Sequence, residues 1–180
     1  MANKKGGSSL KSAYAVAVLR IGLGIIFLWA FFDKLFGLGF STCRDAKTNV
    51  VSTVCSKAWL KGGSPTDGFL KFGAKGPFAD FYHGLAGNKP IAWLFMAGLL
   101  LIGLALVLGI GVKIAVITGS VLLFMLWTAV LPPATNPVLD DHIIYIFALI
   151  VILTSNQNQK IGLGEWWAKK DIVKKLPILA

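Results

Sequence analysis

Asp140, Asp141 and His142 run consecutively into an apolar stretch, His142 to Thr154. Two carboxylates and an imidazole at such a place suit proton uptake and delivery. On a helix, Asp141 and Tyr145 share a face, with His142 beside them. A second pair, Asp33 and Lys34, closes the first apolar run of the chain, and His83 lies between the first and second runs. Arg20 is different again. It stands several residues inside the first run, where an ionised side chain is costly and is a functional candidate for that reason. The candidate chemical groups are therefore Asp140, Asp141, His142, Asp33 and Arg20. Each also has a plain structural reading. The aspartates suit the N-terminus of a helix, where negative charge is favourable. Arg20 can extend to lipid phosphates or join two helices. Both readings stay open at this stage.

The elements that must hold these groups follow from composition. Hydrophobic residues make up 56% of the 180 and charged residues only 14%, against roughly a quarter charged in ordinary soluble domains. The apolar residues form runs close to the ~20 residues a membrane-crossing helix needs. The expected fold is an all-α integral membrane protein, a bundle of four transmembrane helices forming a single domain over 1–180. The spans are expected at about 13–35, 90–112, 113–131 and 138–158, with a long loop at 39–89 and a tail at 159–180. The first run is long, holds Arg20 and lacks a small-residue cleavage site, so it reads as a retained helix.

The net charge of +10 does not imply nucleic-acid binding, because the basic residues flank apolar runs instead of forming one water-facing surface. Lys4, Lys5 and Lys11 precede the first span, Lys113 sits between the second and third, and Lys160, Lys169, Lys170, Lys174 and Lys175 follow the fourth. Four spans put all of these on one side, read as cytoplasmic. The stretch from Pro132 to Asp141 has no Lys or Arg, which agrees with an outer position. The 39–89 loop holds seven basic residues and agrees less well, but long loops report topology poorly. The expected location is the cell membrane, multi-pass, with both termini cytoplasmic and the lipid bilayer as first partner.

Within the first span, Arg20, Gly24, Phe27, Phe31 and Lys34 form one stripe at 100° per residue, expected to face the bundle interior. Thr118 and Ser120 enter the third span at a similar depth and suit hydrogen bonds to Arg20. Cys43 and Cys55 are the only cysteines and lie in the outer loop, so in an oxidising compartment they are expected to pair. Such a closure is worth about 3 kcal/mol. Ser64-Pro65-Thr66-Asp67 is a helix start, with Ser at the cap, Pro at the first position and an acid at the third. Gly73, Gly76 and Pro77 break that helix. Phe78, Phe81, Tyr82 and Leu85 then repeat at helical spacing, predicting a short helix lying in the membrane surface or covering the bundle. Trp166 and Trp167 beside Lys169 and Lys170 suit an interfacial anchor.

Three segments together resemble the DoxX/DoxD-type membrane protein family. They are Arg20-Ile21-Gly22-Leu23-Gly24 through Trp29 to Asp33-Lys34, Gly63-Ser64-Pro65-Thr66 through Gly76-Pro77-Phe78, and Asn136-Pro137 through Asp140-Asp141-His142. The resemblance covers roughly residues 14–155 and is one of pattern. It implies a four-helix membrane fold. In the DoxD branch it implies the membrane subunit of a thiosulfate:quinone oxidoreductase, which converts thiosulfate to tetrathionate and reduces quinone. It also implies a smaller partner subunit. The wider family is functionally mixed, so fold alone does not carry the activity.

The residues can be set against that chemistry. Quinone as cofactor would need a flat apolar slot, for which Phe27, Phe31, Trp93, Trp127 and Tyr145 are candidates, with His83 near the outer side. Asp141 and His142 suit proton delivery. Lys34, Lys71 and Lys75 suit an anionic sulfur substrate. Aromatics in membrane helices also serve plain packing, and that reading stays beside the first. No haem, flavin, iron–sulfur or metal motif is present, so electrons would pass directly between substrates or through a partner. Two other functions remain open: a non-enzymatic scaffold or accessory subunit of a respiratory or redox complex, and a small-solute carrier, disfavoured by the lack of an inverted repeat. Self-association into a homo-oligomer is left open.

Overall fold

The structure, a computed structural model, describes residues 4–45, 47–134, 136–155 and 161–179, with side chains from Lys11 on. Residues 156–158 of the expected fourth span, and 159–160 and Ala180 of the tail, lie outside the described residues. Among the described residues the chain is all-helical; the only extended pairing is one isolated antiparallel bridge between Arg44 and Val51.

Helix α1 runs Lys4–Phe36, α2 Ala79–Gly84, α3 Lys89–Leu108, α4 Val112–Ala129, α5 Asp141–Thr154, α6 Gly164–Ala168 and α7 Asp171–Lys175. Local chemistry explains the bounds. The α1 helix begins well before the expected residue 13 and runs through a polar lead that contains no proline. Asn88 accepts the Ile91 N–H at 3.3 Å and opens α3, with Pro90 in its first turn. The Gly109 N–H closes α3 on the Ala105 carbonyl at 2.8 Å, with φ of +77°. The α4 helix stops ahead of Pro132, whose bond to Leu131 is cis. Before α5, the Asn136 side chain accepts the N–H groups of Val138 and Leu139, both at 2.9 Å.

Three stretches are long and apolar enough to cross a membrane: Lys11–Phe36 with 26 residues, Lys89–Leu108 with 20 and Val112–Ala129 with 18. The fourth apolar helix, α5, has 14 residues. At 1.5 Å per residue it is about 21 Å long, short of the ~30 Å hydrocarbon layer.

Each long helix has one buried stripe and large apolar residues outside it. In α1, Ala13, Ala17, Arg20, Leu23, Phe27 and Phe31 are buried, while Val18, Ile25, Ile26, Trp29 and Phe32 are exposed. In α3, Met96, Leu99, Ile102 and Leu106 are buried and Trp93, Leu94 and Leu101 are exposed. A surface of Ile, Leu, Val and Phe on every long helix suits a hydrocarbon surround, and in water it would be an aggregation surface.

The chain divides into two compact units. The loop unit comprises Phe27–Leu100 and Met125–Asp140; the terminal unit comprises Met1–Ile26, Leu101–Phe124 and Asp141–Ala180. The loop unit has a small core of Leu70, Ala74, Tyr82 and Ala129, with Phe69, Leu85 and Ala86 packed against it. The Tyr82 hydroxyl lies 2.6 Å from Thr128 Oγ1 and donates to the Met125 carbonyl at 2.8 Å, tying the loop to the end of α4. The expected apolar face of Phe78, Phe81, Tyr82 and Leu85 is split. Tyr82 is buried and Leu85 half-buried, but Phe78 and Phe81 are exposed. Phe78 closes a 3₁₀ turn, Gly76–Phe78, before α2 begins, so it does not share the helix's phase. In the terminal unit, a Cβ on Gly24 would come within 3.0 Å of Val107 and the Gly103 carbonyl, so glycine there admits α3.

Candidate functional site

In the loop unit, the most completely built polar site is around Asp33. The side chain is 1% exposed. Its Oδ1 accepts the Phe40 N–H at 3.0 Å, and its Oδ2 accepts the Ser41 N–H at 3.0 Å and the Ser41 hydroxyl at 2.7 Å. Its backbone carbonyl accepts from Gly37 N–H at 2.7 Å. Lys34 adds to the same turn, donating to Ser41 Oγ at 3.1 Å with Nζ lying 5.8 Å from the Phe95 ring centre. Burying a carboxylate is tolerable only when its lone pairs are answered. Here they are answered by the chain leaving α1, so Asp33 fixes that exit.

The disulfide between Cys43 and Cys55 is formed, with sulfurs 2.08 Å apart. Beside it, Asp45 accepts from the N–H groups of Thr48 and Lys47 and from the Thr48 hydroxyl; these bonds hold its carboxyl below the usual range. An open depression on this loop is lined by Cys43, Arg44, Asp45, Val50, Cys55 and Lys57, and by none of the candidate slot aromatics.

The Ser64 helix start is present. Its hydroxyl accepts the Asp67 N–H at 3.2 Å and donates to Asp67 Oδ1 at 2.7 Å. The helix then widens into a π turn at Phe69–Gly73. Asp67 Oδ1 also takes the Gly87 N–H at 3.0 Å, and Oδ2 pairs with Lys71 at 3.1 Å. The Ser64 hydroxyl foremost, then Gly87 and Lys71, keep the Asp67 carboxyl below its ordinary value.

The other candidates in this unit are dispersed. Phe27 and Phe31 are buried. Trp93 is 65% exposed and meets Trp59 edge-on, ring centres 4.6 Å apart. Trp127 is half-buried and donates its indole N–H to the Val138 carbonyl at 3.0 Å. His83 is exposed, with Nε2 3.3 Å from the Ala74 carbonyl. Lys75 is exposed, and its backbone N–H reaches Ala129 at 2.8 Å.

At the start of α5, one ligand atom from each of Asp140, Asp141 and His142 lies within 4.8 Å of the others. Asp141 Oδ1 is 3.6 Å from His142 Nδ1. Asp141 is exposed, whereas Asp140, His142 and Tyr145 are half-buried. The group can exchange protons with water and pass them along the helix start. Three neighbours at one helix start do not by themselves make a metal site.

Deeper in the terminal unit lies Arg20, which is 0% exposed. Its Nη2 donates to the Ile161 carbonyl, while Nε and Nη1 have no hydrogen-bond partner among the described residues. Thr118 does not serve it. Its hydroxyl bonds back to the Ile114 carbonyl at 2.8 Å, and the residue is exposed. This back-bonding is the ordinary resort of a threonine inside a helix.

Sequence reasoning missed the contributions of Ser41, Gly87 and Gly162. Ser41 answers Asp33 from eight residues on, through its N–H and its hydroxyl, Gly87 answers Asp67 across twenty residues, and Gly162 lies against Arg20 from the far end of the chain. Gly162, by contrast with its neighbours, had one available signal: it follows an apolar helix near a buried arginine. No protein-family model, curated protein or solved structure matches the chain.

Proposed function

We propose that the chain is a four-span protein of the cell membrane, with both termini cytoplasmic and the 39–89 loop outside, serving as the membrane subunit of a quinone-linked oxidoreductase. In its most specific form the reaction is thiosulfate to tetrathionate with quinone as acceptor. Two thiosulfates join through a new S–S bond and release two electrons; the quinone takes these electrons and two protons to become quinol. The observation that carries this reading is the Asp140–Asp141–His142 group, three protonatable side chains within 4.8 Å at the mouth of an apolar helix. Quinone reduction at a membrane edge needs such a proton source. The family resemblance supplies the substrate class. Supporting the orientation are the disulfide, which forms in oxidising compartments, and the lysines of the tail.

The test is thiosulfate-dependent quinone reduction by the purified chain, alone and with a small partner subunit. Activity lowered at least tenfold by Asp141→Asn and His142→Gln is the expected result. Absence of activity in both preparations, with no quinone in the native lipid extract, would overturn it.

The Asp33 site favours a second reading, that of an accessory subunit without its own chemistry. There a buried charge serves only to hold the chain in place. Under it, the same two substitutions alter assembly and leave every redox assay of the parent complex unchanged.

A further inference from the structure

We infer that Arg20 is the floor of an oxyanion site in the terminal unit, one that takes a phosphate group. A guanidinium stays protonated at any physiological pH and carries five N–H donors. Removing such a cation from water costs several kcal/mol unless an anion and hydrogen-bond acceptors replace the lost hydration. Arg20 is 0% exposed, and the described residues supply it with one acceptor, the Ile161 carbonyl. Nε and Nη1 are left with none among the described residues. Of the terminal unit's three described acids, Asp171 pairs with Lys174, Asp141 lies 3.6 Å from His142 Nδ1, and Glu165 is exposed, unlike the buried Arg20.

The surroundings explain why the arginine is held there. A Cβ on Gly109 would lie 1.9 Å from Nη1, so only glycine allows the guanidinium to press against this turn. Gly162 covers the other side, where a Cβ would lie 3.3 Å from Nη2. Both glycines have positive φ, +77° and +108°. The Leu163 N–H bonds the Leu108 carbonyl at 2.8 Å and keeps that cover in place. Gly162 itself is exposed, so the cover over the guanidinium is one glycine thick.

The ligand class follows from what the described residues leave unanswered, namely the positive charge of Arg20 and donors pointing in more than one direction. A water molecule would take one or two donors and none of the charge. A tetrahedral phosphate offers several charged oxygens and matches the fork of an arginine. The same group is carried by a phospholipid headgroup and by free phosphate. The turn between α3 and α4, Gly109–Gly111, is where a lipid headgroup would meet a bundle, and Lys113 and Lys169 of this unit add positive charge.

The full-length chain, purified in a neutral detergent and stripped of lipid, is compared with and without three additions at constant ionic strength: inorganic phosphate, phosphatidylglycerol micelles, and micelles of a phosphate-free galactolipid. Thermal unfolding and native mass spectrometry are the readouts. The expected result is a rise of several degrees with phosphatidylglycerol, inorganic phosphate or both, and retained phosphate-bearing adducts. A response to phosphatidylglycerol alone assigns the headgroup as source; a response to both assigns the phosphate group itself. Arg20→Lys, which keeps the charge but loses the fork, should weaken the response at least tenfold in ligand concentration. A galactolipid response equal to that of phosphatidylglycerol, with none to phosphate, would overturn the site. So would an unchanged response in Arg20→Lys. Should the variant fail to fold, the adducts of the wild-type chain still decide the matter, since their absence refutes the inference.

Discussion

Two buried charges on α1, Asp33 in the loop unit and Arg20 in the terminal unit, are answered in opposite ways. Asp33 receives three hydrogen bonds from residues that follow it within eight positions. Among the described residues Arg20 donates one, to a carbonyl 141 residues away. The first charge is a local device, since the turn out of α1 folds around it and leaves it little capacity for anything else. The second is built by long-range packing and left largely unanswered. A charge that is satisfied explains a turn. A charge left unanswered among the described residues, as Arg20 is, gives the ground for the oxyanion site proposed there.

The comparison breaks first at Asp33. Asp33→Ala removes three bonds to a charged acceptor and is expected to destabilise by about 3 kcal/mol. Asp33→Asn, which keeps one acceptor, should cost roughly half of that. Unfolding in mixed micelles, followed by tryptophan fluorescence, measures both. A loss of less than about 0.5 kcal/mol for the alanine variant would mean that solvent replaces the carboxylate, and Asp33 would rejoin the candidates for chemistry.

Next in size is the disulfide, which closes a loop with a sequence separation of 12. Replacing Cys43 and Cys55 by serine is expected to cost about 2.5 kcal/mol. The informative quantity is its coupling to Asp33. Both constrain the chain between Phe36 and Val54, whose N–H reaches the Phe36 carbonyl at 3.0 Å. The combined variant should therefore lose less than the sum of the separate losses. Strict additivity would show that the turn and the disulfide loop are independent.

Arg20 should behave in the opposite sense. In lipid-stripped, phosphate-free detergent, Arg20→Met is expected to lie within about 1 kcal/mol of wild type or to be more stable, because it removes a buried charge that lacks an anion. A loss near that of Asp33→Ala would mean the charge is already neutralised inside the protein. The contrast between the two residues would then vanish.

These differences also mark what was legible in the sequence. The helices were, because runs of Leu, Ile, Val and Ala over lengths near those of α1, α3 and α4 permit little else. So was the burial of Arg20, Gly24, Phe27 and Phe31 along one stripe, which helical periodicity dictates, although Lys34 at its end is only half-buried. The Cys43–Cys55 bond followed from having two cysteines in one loop. The Ser64–Asp67 start followed from capping chemistry whose partners are three residues apart. What was not legible needed chain closure over long distances. The Ile161 carbonyl and the two glycines against Arg20 come from segments ~90 to ~140 residues away in sequence, and the Asp67–Gly87 bond crosses twenty residues. Phe78 failed for a nearer reason, since it belongs to a 3₁₀ turn before α2 and does not share the helix's phase, while Phe81 lies within α2 beside the buried Tyr82 and is exposed.

The smallest expected effect lies at Asp67, which shares with Asp33 the habit of gathering local donors but stands nearer the water. Its carboxyl titrates below the free value of 3.8, held there first by the Ser64 hydroxyl and then by the Gly87 N–H and Lys71. The folded chain therefore takes up this proton less readily than the unfolded chain. Above that free value both are ionised and the contribution is whole; as the pH falls through it and on through the lowered folded value, the contribution is lost. The loss should appear at the Gly87 amide, whose bond to Oδ1 weakens on protonation. Its hydrogen-exchange protection, corrected for intrinsic rates, is expected to hold down to the free value of 3.8 and to fall over the more acid range below it. In Asp67→Asn it should be lower and flat across that range. Protection that stays constant in the wild type would show that Gly87 is held by its own turn, and that Asp67, unlike Asp33, organises nothing beyond the Ser64 cap.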